Sequence, residues 1–217
     1  LEISVYKTIF VLNSFYSFMR AVITGDIINS RVSSTVRWHR YLKRVLSLYG
    51  DNPKSWEIYR GDSFQLLLKP KQALVAAIHI KASIKQIAPL DVRMGIGFGT
   101  QSYRAAKVTA STGSAFVNSG EAFDGLKKQT LAIATGEEQI DEHLNIMLSL
   151  ALLSMDSWSD TVAKVISAMI ENPTANQVEI ASKLKKSQST ISEALKRGGF
   201  DEIKQLLIYF EKTIIKL

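Results

Sequence analysis

The sequence of 217 residues contains no cysteine. That absence excludes a disulfide framework and any thiolate metal site, and it fits a reducing compartment, so a cytoplasmic location is expected. Also missing is any apolar run approaching the roughly eighteen residues that a membrane span requires. The best candidate, Ile9 to Leu12 and then Phe15 to Met19, is broken by Asn13 and Ser14, so no membrane partner is expected. No small-residue cleavage site follows that stretch, which argues against a signal peptide. Instead Met19 leads directly into the strand-like Arg20-Ala21-Val22-Ile23, and residues 1–19 read as an upstream extension. The three histidines, His39, His79 and His143, have no ligand spacing and read as surface or helix residues.

Between Asp26 and Asp51 acids are absent, while Arg31, Arg37, Arg40, Lys43 and Arg44 accumulate. With a net charge of +7, this basic run is either a solvated helix face or a surface that attracts phosphates.

What is present reads as alternating elements. Ala21 to Ile27 is a short apolar strand ending in Gly-Asp. Ser33 or Ser34 caps a helix with Val36, Tyr41, Leu42, Val45, Leu46 and Tyr49 on its apolar face. Trp56 to Tyr59 and Phe64 to Leu68 form a hairpin through Arg60-Gly61-Asp62. Pro70 opens a second helix with Leu74, Ala77, Ile78 and Ile84 inward, and Val92 to Phe98 is a glycine-rich strand. The order strand, helix, strand, strand, helix, strand is the ferredoxin-like arrangement. Further on, Ala115 to Val117 reads as a strand, Gly120 to Lys127 as a short helix and Leu131 to Ala134 as a strand. Thr135 and Glu138 have capping-box spacing before a helix reaching Met155. The polar break Asp156 to Asp160 divides residues 20–156 from an all-α domain, 157–217.

In that second part Val162, Val165, Ile166 and Met169 line one helical face, ended by Asn172-Pro173. Thr174 and Gln177 suggest a capping box for a helix burying Val178, Ala181 and Leu184. After Lys185-Lys186, Ser187 caps a third helix with Ile191, Ala194 and Leu195 inward and Ser189, Ser192, Glu193 and Lys196 outward. Gly198-Gly199 ends it, and Ile203, Leu206, Leu207, Phe210 and Ile214 mark one face of a last helix. Residues 174–197 carry five bases and two acids. The strings Gln177-Val178-Glu179-Ile180-Ala181 and Ser187-Gln188-Ser189-Thr190-Ile191-Ser192 resemble the helix-turn-helix of bacterial regulators. Double-stranded DNA is the partner implied, contacted by Thr174, Gln177, Lys185, Lys186, Ser187, Gln188, Ser189, Thr190, Ser192 and Lys196. Such modules usually act as dimers, so a homodimer is expected.

Asp26 ends the first strand and Asp62 sits at the tip of the hairpin, which lie side by side in this topology, and paired carboxylates suit Mg2+ or Mn2+. The loop Ile27, Ile28, Asn29, Ser30 and Arg31, leading into a helix, would offer N–H groups to phosphates. The strings Ile23-Thr24-Gly25-Asp26-Ile27, Tyr59-Arg60-Gly61-Asp62-Ser63-Phe64 and Val92-Arg93-Met94-Gly95-Ile96-Gly97-Phe98-Gly99 resemble class III nucleotidyl cyclases. The resemblance implies metal binding by Asp26 and Asp62, a nucleoside triphosphate near Arg60, and Asn118 assisting a transition state. It departs where Ala122 replaces a triphosphate-steadying arginine, and where Trp56 or Ile58 stands in place of a purine-selecting lysine. Losing a cation aimed at phosphate charge disfavours catalysis.

Taken whole, the sequence after Met19 resembles the SatD family through Val22-Ile23-Thr24-Gly25-Asp26-Ile27, Tyr59-Arg60-Gly61-Asp62-Ser63-Phe64 and Phe116-Val117-Asn118-Ser119-Gly120-Glu121-Ala122-Phe123. The expected protein is α+β, a ferredoxin-like nucleotidyl-cyclase-type domain followed by a helix-turn-helix domain. The expected function is a DNA-binding transcriptional regulator whose cyclase-like part senses a nucleotide or divalent cation. The alternative is a nucleotidyl-transfer or cyclase-type enzyme using two Asp-bound divalent metal ions.

Overall fold

A computed structural model describes residues 19–32 and 35–217. Of the expected extension, residues 1–18 lie outside the described residues, as does the cap at Ser33 or Ser34, while Met19 opens the first strand. Five strands form one mixed sheet: β1 (Met19–Ile28), β2 (Trp56–Tyr59), β3 (Ser63–Leu68), β4 (Asp91–Thr100) and β5 (Leu131–Ala134). They lie in the order β2-β3-β1-β4-β5, with β4 and β5 parallel and the other neighbours antiparallel. Among the described residues eight α-helices accompany them: α1 (Thr35–Ser47), α2 (Ala73–Ile84), α3 (Ser114–Asp124), α4 (Glu138–Met155), α5 (Asp160–Glu171), α6 (Gln177–Leu184), α7 (Gln188–Arg197) and α8 (Phe200–Ile214). The chain is therefore α+β, and no described helix is long and apolar enough to cross a membrane.

Alternation along the strands decides which residues are buried. On β1, Ala21, Ile23 and Ile27 are buried on one face, while on the other Thr24, Asp26 and Ile28 are only partly so and Val22 is buried as well. The register sets Ile23 between Leu66 of β3 and Ile96 of β4, and aligns Ile96 with Ile133 of β5. One sheet face is thus continuously apolar, because side chains two apart on each strand share a face. The free edge of β5 is closed by Asn145 of α4, which accepts from the Ile133 N–H and donates to its carbonyl, both at 2.8 Å.

Helical faces follow the same logic, with corrections. In α1 the buried stripe is Trp38, Leu42, Val45 and Leu46, while Val36 is exposed. Trp38 has the larger apolar area and an N–H that reaches the Ser30 carbonyl at 3.3 Å, so it sets the helix rotation instead of Val36. Residues 115–117 are helical rather than a strand, because three glycines of β4 offer a seat for a close-lying helix. The helix after Thr135 starts at Glu138 with no side-chain cap; the Thr135 hydroxyl bonds Asp141 instead. The second capping box sits two residues later than expected, on Asn176 and Glu179. This rolls α6 so that Ile180 and Ala181 are buried and Val178 is exposed.

The largest departure from a simple amphipathic pattern is α2. Only one face was expected inward, yet nearly every residue of it is buried, His79 and Lys81 included. The sheet and α1 cover one side, and α5 and α8 the other. One continuous cluster of buried side chains consequently runs from Ala21 to Ile214, across the break at residues 156–160. At that break Trp158 is buried and donates to the Gly198 carbonyl at 3.0 Å. Lys81 Nζ lies 2.7 Å from both Asp91 and Asp156 and donates to Thr130 at 3.0 Å. Two carboxylates and a hydroxyl thus surround this buried ammonium, the partners that a charge in the interior requires.

His79 sits where α2 meets α5, with Nδ1 at 3.0 Å from the Tyr49 hydroxyl and Nε2 facing Glu171 at 3.4 Å. Burial holds its pKa below the ordinary 6.5, outweighing the opposing pull of Glu171. As pH falls below about 6.5 the unfolded chain therefore takes up a proton that the folded chain resists, and stability declines. Melting temperatures measured between pH 7.5 and 5.5 should fall in the wild type and fall less in His79→Gln. Identical slopes would show that His79 does not contribute.

Candidate functional site

One candidate site lies at the end of the sheet where β1 finishes. Asp26 stands opposite Ser63 on β3 and opposite Arg93 on β4. The β2–β3 turn places Arg60 and Gly61 at positive φ, 50° and 89°, a reversal that glycine makes without steric cost. The turn brings the Asp62 carbonyl to 3.2 Å from the Ile27 N–H. Asp26 on β1 and Asp62 in the turn before β3 are thereby neighbours. His39 contacts the Gly61 carbonyl at 3.1 Å, which ties α1 to the same turn.

The charges at this end are already engaged. Arg93 grips Asp26 with two hydrogen bonds, Nε to Oδ1 at 3.0 Å and Nη2 to Oδ2 at 2.5 Å. Its guanidinium also stacks over the Phe123 ring, 5.5 Å from the centroid. Hydrogen bonding to Asp26 raises the Arg93 pKa further, and the Asp62 charge adds to this. Ser30 donates to Asp62 Oδ2 at 2.6 Å. Burial pushes the Tyr59 hydroxyl above its usual range, with Asp26 acting in the same direction. Among the described residues no three His, Asp or Glu side chains converge on a metal-binding position. The two carboxylates fit a divalent cation in type, but Asp26 already has a counter-ion, so a cation could enter only in exchange for the Arg93 guanidinium.

The expected nucleotide residues divide. Asn29, with φ 62°, Ser30 and Arg31 form the turn after β1. Ile27 and Ile28 instead belong to β1, and the Ile27 N–H is bonded to Asp62, so it is not available to a phosphate. Asn118 is remote: on α3 it donates to the Phe98 carbonyl at 2.7 Å. Phe98 and Arg93 are five residues apart on β4, about 17 Å at strand rise. Sequence reasoning passed over Arg93, although its place two residues before Gly95 on the strand beside Asp26 was readable.

What positions this end is the packing of α3 on β4. A Cβ on Gly97 would lie 2.0 Å from the Ser119 nitrogen, and one on Gly95 2.3 Å from the Phe123 nitrogen. Backbone therefore lies on backbone, and Thr24 and Ser119 hydroxyls meet at 2.9 Å.

The second candidate is the helical surface of α5 to α7. Ser187 caps α7 by accepting from the Thr190 N–H at 3.2 Å and contacts the Thr190 and Ser189 hydroxyls at 2.8 and 2.9 Å. Ile191, Ala194 and Leu195 pack inward, while Gln188, Ser189, Ser192, Glu193 and Lys196 are exposed. Lys185, at φ 53°, turns the chain between α6 and α7. Thr174 is exposed in the preceding turn, and Gln177 is half-buried at the start of α6. A Cβ on Gly198 would lie 2.6 Å from the tip of the Ile166 side chain and 2.9 Å from that of Val162, so both would have to shift to admit one, and α5 and α7 are in contact.

Arg37, Lys164 and Lys186 line one groove of about 260 Å³ with Tyr41 and Asp160. The basic run of α1 is thus continuous with the α6–α7 turn, a connection invisible in the sequence because more than a hundred residues separate them. Another groove, of about 320 Å³, brings Asp201 and Glu202 beside Ser192 and Lys196.

Because α3 fixes this architecture through backbone contact, Gly97→Ala should destabilise the fold by about 1–3 kcal/mol. Calorimetry should show a melting temperature lower by several degrees; an unchanged one would mean that α3 can lift from β4 freely.

The sequence model of the SatD family matches residues 18–211, nearly the full length. No curated protein matches the chain. This chain belongs to the SatD family.

Proposed function

We propose that the protein is a DNA-binding transcriptional regulator whose sheet-bearing part senses a nucleotide together with a divalent cation. The observation that carries the reading is α7, a capped helix packed on one side and lined on the other with short hydroxyls and an amide. Joined to α6 through the left-handed Lys185 and supported by α5, it has the form expected of a helix-turn-helix that lays its third helix in a major groove. Gln188 and Ser189, at its first turn, are the side chains of a type that hydrogen-bonds base edges.

Charge distribution supports one orientation. Arg37, Lys164 and Lys186 share a groove with a single acid, Asp160, near the amino-terminal end of α7, and Lys185 adjoins it in the chain, whereas Asp201 and Glu202 stand beside Lys196 at the other end. The DNA backbone therefore runs past the α6–α7 turn and α1, and Lys196 contributes less than its charge suggests. The strand order β2-β3-β1-β4, with α1 and α2 on one face, supports reading residues 20–156 as a ferredoxin-like domain of cyclase type. There a metal-bound triphosphate would draw Arg93 to its phosphates and free Asp26 for the cation. Arg93 begins two residues after Asp91, which Lys81 and Lys85 bridge to Asp156 beside α5. A nucleotidyl-transfer enzyme is less well supported, since Ala122 offers no cation and Asn118 lies far from Asp26.

Selection from a random-sequence DNA pool at physiological salt should enrich one site. At that site Gln188→Ala should cost roughly 1–3 kcal/mol and little elsewhere. Lys186→Ala should weaken all sequences alike and lower the salt slope by about one. No enrichment and no salt-dependent binding would overturn the regulator. Separately, titration calorimetry with nucleoside triphosphates and Mg2+ or Mn2+ should show binding that Asp26→Ala with Asp62→Ala abolishes. Unchanged affinity in that double variant would remove the sensing site and leave the DNA reading standing.

A further inference from the structure

A different surface carries an inference that does not depend on DNA binding. In α4, Leu144, Leu148, Leu152 and Met155 are buried toward the sheet side. At 100° per residue, Ile146, Leu150 and Leu153 fall on the opposite side, where they are 54%, 64% and 76% exposed. From Leu144 to Met155 there is no charged residue at all. The solvent face of an ordinary surface helix is polar, as that of α7 is; a helix apolar on both sides is one buried on both sides. Depletion of charge is also what marks the centre of a protein interface.

Beside this ridge runs a groove of about 740 Å³ between α4 and α8, lined by Met147, Ala151, Ile203, Leu206 and Tyr209, with Arg197 and Glu202 among its polar residues. A ridge next to a groove of matching chemistry on one surface is self-complementary: a two-fold axis sets each ridge into the other copy's groove. The rim of the groove carries both signs of charge, Lys196 and Arg197 with Glu202, so two copies of it need not repel each other. With α4 about 27 Å and α8 about 22 Å long, lying about 10 Å apart, the face approaches the roughly 800 Å² per partner of a stable interface.

We propose that the α4–α8 face is the homodimer interface of this protein, occupied by a second copy of the chain. The groove is bounded by Lys196 and Arg197, the last residues of α7, so the two copies of α7 approach one dyad. That is the arrangement two DNA half-sites need, but the dimer is measured without DNA and fails or holds independently of it.

Sedimentation equilibrium of the full chain at micromolar concentration should give a dimer. Leu150→Glu with Leu153→Glu should give a monomer with unchanged circular dichroism and melting temperature, since both side chains are already exposed. A monomeric wild type overturns the proposal, as does a variant that remains dimeric. The absence of native cysteine allows a second check with single substitutions. Ile146→Cys, Leu150→Cys and Leu153→Cys should include at least one that a short bismaleimide links into a covalent dimer. Ile208→Cys is the control, being 55% exposed and on another side of α8 from the groove. Linking no faster than this control at all three positions also overturns the interface.

Discussion

The ammonium of Lys81 is the constraint on which much of the rest depends. Buried completely, it must keep Asp91 and Asp156 close, because an unpaired charge in the interior is far more unfavourable than a paired one is favourable. Asp91 begins β4, Thr130 precedes β5 and Asp156 ends α4. Three chain segments remote in sequence are thus anchored to one atom. A pair of this kind adds little net stability compared with apolar packing, but it penalises every arrangement in which α4 and β4 part company. The amino-terminal sheet and the carboxy-terminal helices are consequently held in a defined relation and not joined by a loose tether.

A second constraint acts on the other face of the sheet. Glycines at alternate positions of β4 remove side chains where α3 crosses, and small Ala115 and Ser119 face them. With α3 seated there, Phe123 lies over Arg93 and Arg93 closes on Asp26. The ion pair at the sheet end therefore follows from a row of absent side chains several residues away.

Much of this was legible in the sequence. β2 and β5 have the expected bounds, β1, β3 and β4 extend a little beyond theirs, and the inward residues of α7 are the expected Ile191, Ala194 and Leu195, because each segment has clear periodicity and punctuation. The misreadings have local causes. Ala115-Phe116-Val117 looks like a strand until the glycine seat on β4 is considered, and Val178 looks inward until Asn176 rather than Thr174 is taken as the cap. For α2 the pattern could not reveal the second buried side, since α5 covers it from nearly a hundred residues away. At the candidate site the closeness of the two aspartates was readable, but the pairing of Arg93 with Asp26 was not. The motif draws attention to glycines around Arg93, and pairing across β1 and β4 is a property of register, not of spacing.

Asn145 deserves a different consequence from its role as a helix side chain. By saturating the peptide group of Ile133 on the outer edge of β5, it removes the donor and acceptor that another strand would need to add there. Edge-to-edge strand addition is how sheet proteins polymerise without limit. With the Ile133 peptide group taken up in this way, edge-to-edge growth of the sheet is disfavoured at β5, and β2 is left as the other edge of the sheet.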